Sequence, residues 1–178
     1  MLARLIIVLL SASGFFANAE NDEWDHGAMA VTANPHATNA AMQMLSQGGH
    51  AVDAAIAAHL VLGLVEPQSS GIGGGGFLLV YGRANKSLTF HDGRETAPGA
   101  ATPDMFMLDD EVMPYLRAWQ SGKSVGVPGV VALYKHAHER YGLLPWQSLF
   151  QPAIELAQTG FEVSPRLASF LARMAKFT

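Results

Sequence analysis

Two early stretches of the chain carry apolar residues at the spacing of an α-helix. Between Pro35 and Gln47 the polar residues Asn39, Gln43, Ser46 and Gln47 fall on one side, which predicts a helix with its opposite side buried. Asn34-Pro35 supplies an N-cap and a first-turn proline. Gly48-Gly49 can take the left-handed geometry that ends a helix. A second helix is predicted over Ala51–Val65. It is apolar almost all round, the pattern of a helix sandwiched in an interior. Asp53 falls in its first turn, where negative charge suits the helix dipole, and Glu66-Pro67 stops it.

Shorter patterns fill the rest. Met29–Thr32 reads as a short strand. Phe77–Tyr81 and Ser87–His91, joined across Gly82–Lys86, read as an antiparallel hairpin. Gly93–Gly129 is rich in loop residues, with Pro98, Pro103, Pro114 and Pro128; a loop region this long is functional or covers another part of a protein. Helices resume at Gly129. There Val130, Leu133, Tyr134, Ala137 and Tyr141 form one stripe, Lys135, His138 and Glu139 face away, and Gly142 closes the segment. Another helix is predicted over Pro145–Gln158, ended by Gly160. Ser164-Pro165 opens a last one, expected to run past Thr178.

Two or three strands among five helices are too few to close a sheet. The pattern predicts an incomplete piece of a larger α/β (α+β) layered fold. Composition sharpens this. The chain has 178 residues, 49% hydrophobic and only 15% charged, enough for one domain with a core but low in charge for a free-standing one. The net charge of -4, without a Lys/Arg run, argues against a nucleic-acid partner. With no cysteine present, disulfides and thiol catalysis are excluded.

The first nineteen residues bear on destination. Arg4 precedes the apolar run Leu5–Leu10, and Ala17-Asn18-Ala19 places small residues before Glu20. This is the pattern of a cleaved secretory signal at 1–19, leaving 20–178 as the mature segment, periplasmic or secreted. The run is too short for a membrane span of ~20 residues, as is 51–65, which Asp53 and His59 interrupt.

Candidate chemistry is sparse. Gly71, Gly73 and Gly76 match a dinucleotide-binding spacing, but a helix precedes them and a strand follows, the reverse of the required order. The run then serves close backbone packing or lines a substrate cleft. Arg94, just past a strand end in Asp92-Gly93-Arg94-Glu95-Thr96-Ala97-Pro98, can grip a carboxylate through two hydrogen bonds. On local sequence alone the favoured reading is an ion pair with Asp92 or Glu95. His136 and His138 point to different faces of a helix, and His59 reads as a core residue. No metal-binding histidine spacing and no nucleophile elbow occur, so no cofactor is expected.

Several ordered segments resemble one family. Met29-Ala-Val-Thr-Ala-Asn-Pro35, Gln47 to Ala57, Val65 to Phe77, Arg94-Glu-Thr-Ala-Pro98, Ser124 to Gly129 and Leu144-Pro-Trp146 with Pro152-Ala153-Ile154 are similar to the start of γ-glutamyltransferases. The resemblance implies an αββα four-layer N-terminal nucleophile hydrolase sandwich, of which this chain is the incomplete N-terminal part of the large subunit. It implies a precursor that cuts itself, and a nucleophilic Thr at the new N-terminus of the small subunit. That Thr attacks the γ-glutamyl amide of glutathione or a relative, its own amine serving as base. The acyl group then passes to water or to an amino-acid or peptide acceptor. Arg94 matches the family arginine that binds the α-carboxylate of the γ-glutamyl group. The nucleophile and the oxyanion glycines belong to the small subunit, so Thr178 is not the nucleophile and the 178-residue chain alone is expected to be inactive. A related acylase with another acyl substrate, or a truncated non-catalytic product, are the competing readings.

Overall fold

The computed structural model describes residues 27–176. The signal segment at 1–19 and Thr178 lie outside the described residues. Helix α1 spans Pro35–Ser46 and α2 spans Ala51–Val65. Asn34 caps α1 with its side-chain oxygen, which accepts from the His36 N–H at 3.0 Å. Gly48 follows α1 with φ +81°, a conformation that costs glycine little and other residues more.

Helix α2 is the centre of the molecule. It meets α1, α4 (Val130–Tyr141), the 3₁₀ turn Trp146–Phe150 and α5 (Gln151–Thr159). Ala37, Ala40, Ala41 and Met44 of α1 are buried, as are Val52, Ala54, Ile56, Ala57, Ala58, Val61 and Val65 of α2. The many alanines let the two backbones approach closely, while Met44, Val61 and Val65 fill the remaining volume. The start of α2 is tied by two reciprocal caps. The His50 ring Nδ1 accepts from Val52 N–H at 3.1 Å, and Asp53 Oδ2 accepts from His50 N–H at 2.8 Å. The same Oδ2 accepts from Leu143 N–H at 2.9 Å and Leu144 N–H at 3.3 Å. Asp53 is fully buried, so beyond the helix dipole it fastens the chain after α4 onto α2.

Strands β1 (Gly76–Gly82) and β2 (Ser87–Gly93) pair antiparallel from Gly76 opposite Gly93 to Gly82 opposite Ser87. Leu78 and Val80 pack on the core. Alternate residues Phe77, Leu79, Tyr81, Leu88 and Phe90 point the other way and are 56–67% exposed, as period-two alternation requires. Helix α4 covers the inner face of both strands. Val130, Leu133, Tyr134 and Ala137 are buried along the predicted stripe. His138 departs from its expected outward position: it is half-buried, and its ring Nε2 donates to the Leu144 carbonyl at 2.8 Å.

Three other expectations change. Met29–Thr32 forms no strand, because among the described residues it has no neighbouring strand to pair with. The segment 145–158 is not one helix but the turn Trp146–Phe150 followed by α5. Pro152 forces the break: without an N–H it is tolerated in a helix's first turn, and that is where it sits. The loop region after β2 contains a two-residue hairpin, β3 (Met107–Leu108) with β4 (Glu111–Val112), and a short α3 (Tyr115–Gln120). Asp109 and Asp110 at its tip have φ +52° and +64°, the sign that a type I′ hairpin turn demands. Helix α6 (Pro165–Met174) opens with Ser164 Oγ accepting from Leu167 N–H at 3.0 Å.

Candidate functional site

The end of β2, the glycine run and the start of α4 converge on one place. Gly74 O accepts from both Gly129 N–H and Val130 N–H at 3.1 Å, so the glycine run covers the N-terminus of α4. Thr96 and Val127 form an antiparallel bridge, with Val127 N–H donating to Thr96 O at 2.8 Å. Three segments distant in sequence are thereby fixed side by side. The glycines have distinct reasons. A Cβ on Gly129 would lie 2.4 Å from Gly93 O, and one on Gly93 would lie 2.6 Å from Leu133 Cβ. Gly71, Gly73 and Gly76 meet no such obstacle. The run follows α2 and leads into β1, the reverse of a dinucleotide-binding loop. The run packs closely at Gly75 and also lines an open cleft of about 380 Å³ with Ser69, His59 and Glu95.

Arg94 lines a second cleft of about 360 Å³, with Thr96, Phe106, Lys123 and Val125, and a third of about 550 Å³ with His91, Val127 and His136. Its backbone N–H donates to Asp92 Oδ1 at 2.9 Å. Its Nε lies 3.3 Å from Glu95 Oε2, with the two side chains 67% and 33% exposed. The local ion pair is thus present, its atoms approaching at Nε. The guanidinium is largely exposed beside an open cleft, where a planar fork can meet a carboxylate. Lys123 brings a second cation to this cleft, its Nζ donating to Met105 O at 2.9 Å. Lys123, a lone lysine in the loop region, carries no local signal of this place. Glu95 was legible only as a neighbour of Arg94, yet it lines the first two clefts.

The histidines lie among other rings, His91 and His136 with centroids 5.2 Å apart. His59 hydrogen-bonds to the Tyr134 hydroxyl. Burial lowers its affinity for a proton and pushes the Tyr134 hydroxyl upward. His91 is buried, with Nε2 3.1 Å from Tyr141 Oη. Burial, then the charges of His136 and Arg140, lower its pKa. His138 lies on a different side from His136, beside Trp146. Among the described residues no group of three or more His, Cys, Asp or Glu side chains could hold a metal ion. No helix among them is long and apolar enough to cross a membrane.

With this geometry in place, likeness to known proteins becomes informative. The sequence profile of the family described as Gamma-glutamyltranspeptidase matches residues 37–178. Scoloptoxin SSD14 of Scolopendra dehaani is 47% identical over 148 residues, covering 83% of this chain and 25% of its own length. The glutathione hydrolase proenzyme of Bacillus subtilis is 39% identical over 145 residues, covering 81% of this chain and 25% of its own. Among solved structures, gamma-glutamyltranspeptidase from Pseudomonas nitroreducens complexed with L-DON superposes with a TM-score of 0.79 at 36% identity. That match covers 85% of this chain and 45% of the other. The chain therefore spans about a quarter of the length of these curated relatives.

Proposed function

Because this chain belongs to the gamma-glutamyltranspeptidase family, we propose that it supplies the carboxylate-binding arginine of an enzyme that transfers γ-glutamyl groups. Its helices and antiparallel hairpin are an incomplete part of the αββα N-terminal nucleophile hydrolase fold. The observation that carries the proposal is Arg94: a mostly exposed guanidinium just past a strand end, paired with Glu95 at 3.3 Å and lining an open cleft. Its place in the Arg94-Glu95-Thr96-Ala97-Pro98 segment agrees with the family motif. The substrate class is glutathione and other γ-glutamyl compounds, in line with the name of the Bacillus relative.

The Thr nucleophile of this reading lies in a small subunit released by self-cleavage, a route that fits that relative's description as a proenzyme. Residues 1–19 act as an export signal and 20–178 as part of the large subunit, in the periplasm or outside the cell. The acyl chemistry itself belongs to the small subunit. This chain's contribution is to bind and orient the donor so that its amide meets the nucleophile, a positioning effect that acts on the barrier through geometry.

The test is kinetic. In the full-length enzyme, Arg94→Ala should raise KM for glutathione roughly tenfold to hundredfold, the range that loss of charge-assisted hydrogen bonds gives. Arg94→Lys should recover only part, because an ammonium lacks the planar fork. Unchanged glutathione kinetics in Arg94→Ala would remove the assignment. Residues 20–178 alone should give no turnover of a γ-glutamyl anilide, and measurable turnover would place the nucleophile within them. A donor lacking the α-carboxylate separates this reading from an acylase for other acyl groups, which would accept it equally well.

A further inference from the structure

The cleft of about 360 Å³ that Arg94 shares with Lys123 is walled by two segments joined at one bridge. Thr96 N–H donates to Val127 O at 3.4 Å, and Val127 N–H to Thr96 O at 2.8 Å. Beside the bridge the two backbones nearly touch: a Cβ on Gly126 would lie 3.2 Å from Thr96 O. Arg94 stands two positions before Thr96, and Lys123 four positions before Val127. In an antiparallel pair the residues before each partner run in opposite directions. The segments bearing the two cations therefore leave the bridge to opposite sides, and both residues line the one cleft. The lysine segment is tied on either side of Lys123. Ser121 Oγ donates to Ala118 O at 2.7 Å, and Ser124 Oγ to Trp119 O at 3.0 Å. Lys123 Nζ itself donates to Met105 O at 2.9 Å, and Met105 lines the same cleft.

An ammonium carries three donors. One goes to Met105 O, and among the described residues no carboxylate lies within 4.0 Å of Lys123 Nζ. Asp104 does feel Lys123, but as the least of the influences holding its pKa down, after the Thr102 hydroxyl and its own backbone N–H. Among the described residues the cleft is lined by two cations, Arg94 and Lys123, and by one acid, Glu95. Cations standing side by side would share one carboxylate; segments that leave a bridge to opposite sides suit two. A γ-glutamyl peptide carries two such groups, the α-carboxylate at one end and the C-terminal carboxylate of its leaving group at the other. We infer that Lys123 is a specificity-determining residue that binds the C-terminal carboxylate of the leaving peptide. Donors with a free C-terminus are thereby favoured over donors whose C-terminus is neutral. The inference rests on the reading of Arg94 given above and adds to it which donors the same cleft selects.

Hydrolysis by the full-length enzyme, with no acceptor added, tests it on glutathione and glutathione glycinamide, which differ only in the C-terminal charge. Lys123→Met keeps the stem and removes the charge. It should raise KM for glutathione about twofold to fivefold, the range of an exposed ion pair. KM for the glycinamide should not change, and Lys123→Arg, which keeps the charge, should leave the preference for glutathione in place. Arg94→Ala should raise KM for both donors alike, since both carry the α-carboxylate. An equal effect of Lys123→Met on both donors, the sign of a merely structural role, overturns the inference. So does an unchanged glutathione KM in Lys123→Met beside a large Arg94→Ala effect, which leaves the role of Arg94 standing. No effect of Arg94→Ala on either donor removes that role and the inference with it. Where Lys123→Met fails to mature, a salt series on the wild-type enzyme decides, because an exposed contact is screened by salt. A preference for glutathione that added salt weakens supports the inference; a preference that salt leaves unchanged, or none at all, overturns it.

Discussion

Asp53→Ala removes the acceptor on which three backbone N–H groups converge, those of His50, Leu143 and Leu144. The site is fully buried, so water cannot replace the carboxylate without opening the core. Hydrogen bonds to a charged group contribute about 1.5–3 kcal/mol each. Here they share one oxygen, which reduces their sum, and a loss of roughly 4 kcal/mol follows. That is a large part of the 5–15 kcal/mol that holds a typical domain together. Asp53→Asn keeps one carbonyl oxygen and should lose about half as much. Urea unfolding of the full-length protein, followed by tryptophan fluorescence, measures the change. Amide exchange at Leu143 and Leu144 locates it, because those two N–H groups lose their partner in the alanine variant. An Asp53→Ala protein within about 1 kcal/mol of wild type, with both amides as slow as before, would refute the reasoning.

Two further tests use other buried contacts. Gly75→Ala should prevent normal folding or maturation, since its Cβ would lie 2.6 Å from the backbone atoms Glu95 N and Gly93 O. Gly71→Ala, with nothing within 4 Å of its Cβ, should be tolerated; comparable yields of soluble protein from both would contradict the packing account. Glu66 accepts from Asn34 Nδ2 at 2.9 Å and Gln68 Nε2 at 2.6 Å. The Asn34 bond, then those of Gln68 and Ser164, hold its pKa below the ordinary 4.5. Its folded-state pKa thus lies below its unfolded one, so its stabilising effect is complete above the unfolded value and disappears as pH falls through the folded value. Glu66→Gln should therefore flatten the decline of Tm with acidification below about pH 5; an identical slope in both proteins would disprove the link.

Much of the helical frame was legible because its signals are local. Asn34-Pro35, Gly48 and Ser164-Pro165 do in the structure what their chemistry prescribes. The all-round apolarity of Ala51–Val65 correctly foretold a helix enclosed by others. Local reading failed where the partner is remote. The three-fold role of Asp53 depends on amides about ninety positions away. Met29–Thr32 has the residues of a strand but no neighbour to pair with. Pro152 lies inside an apolar periodic run that reads as continuous helix, although its missing N–H suits a helix start. In the candidate site, Arg94 could be singled out from its own chemistry. The close approach of Gly75 and Gly126 to Glu95 could not, because glycines carry no side chain whose pattern announces a neighbour, and Gly126 arrives from a distant segment.

The link from Asp53 to Leu143 also sets an order of events in synthesis. Helix α2 leaves the ribosome with its first turn fastened only by His50, and the second fastening is 90 residues behind. At 5–20 residues per second the nascent helix waits on the order of ten seconds for it. Throughout that interval a carboxylate destined for the interior has only part of its final company. Chains stalled near residue 130 should therefore yield to protease around α2, whereas chains stalled well past Leu144 should resist; equal cleavage of the two would show that α2 closes without its late partner.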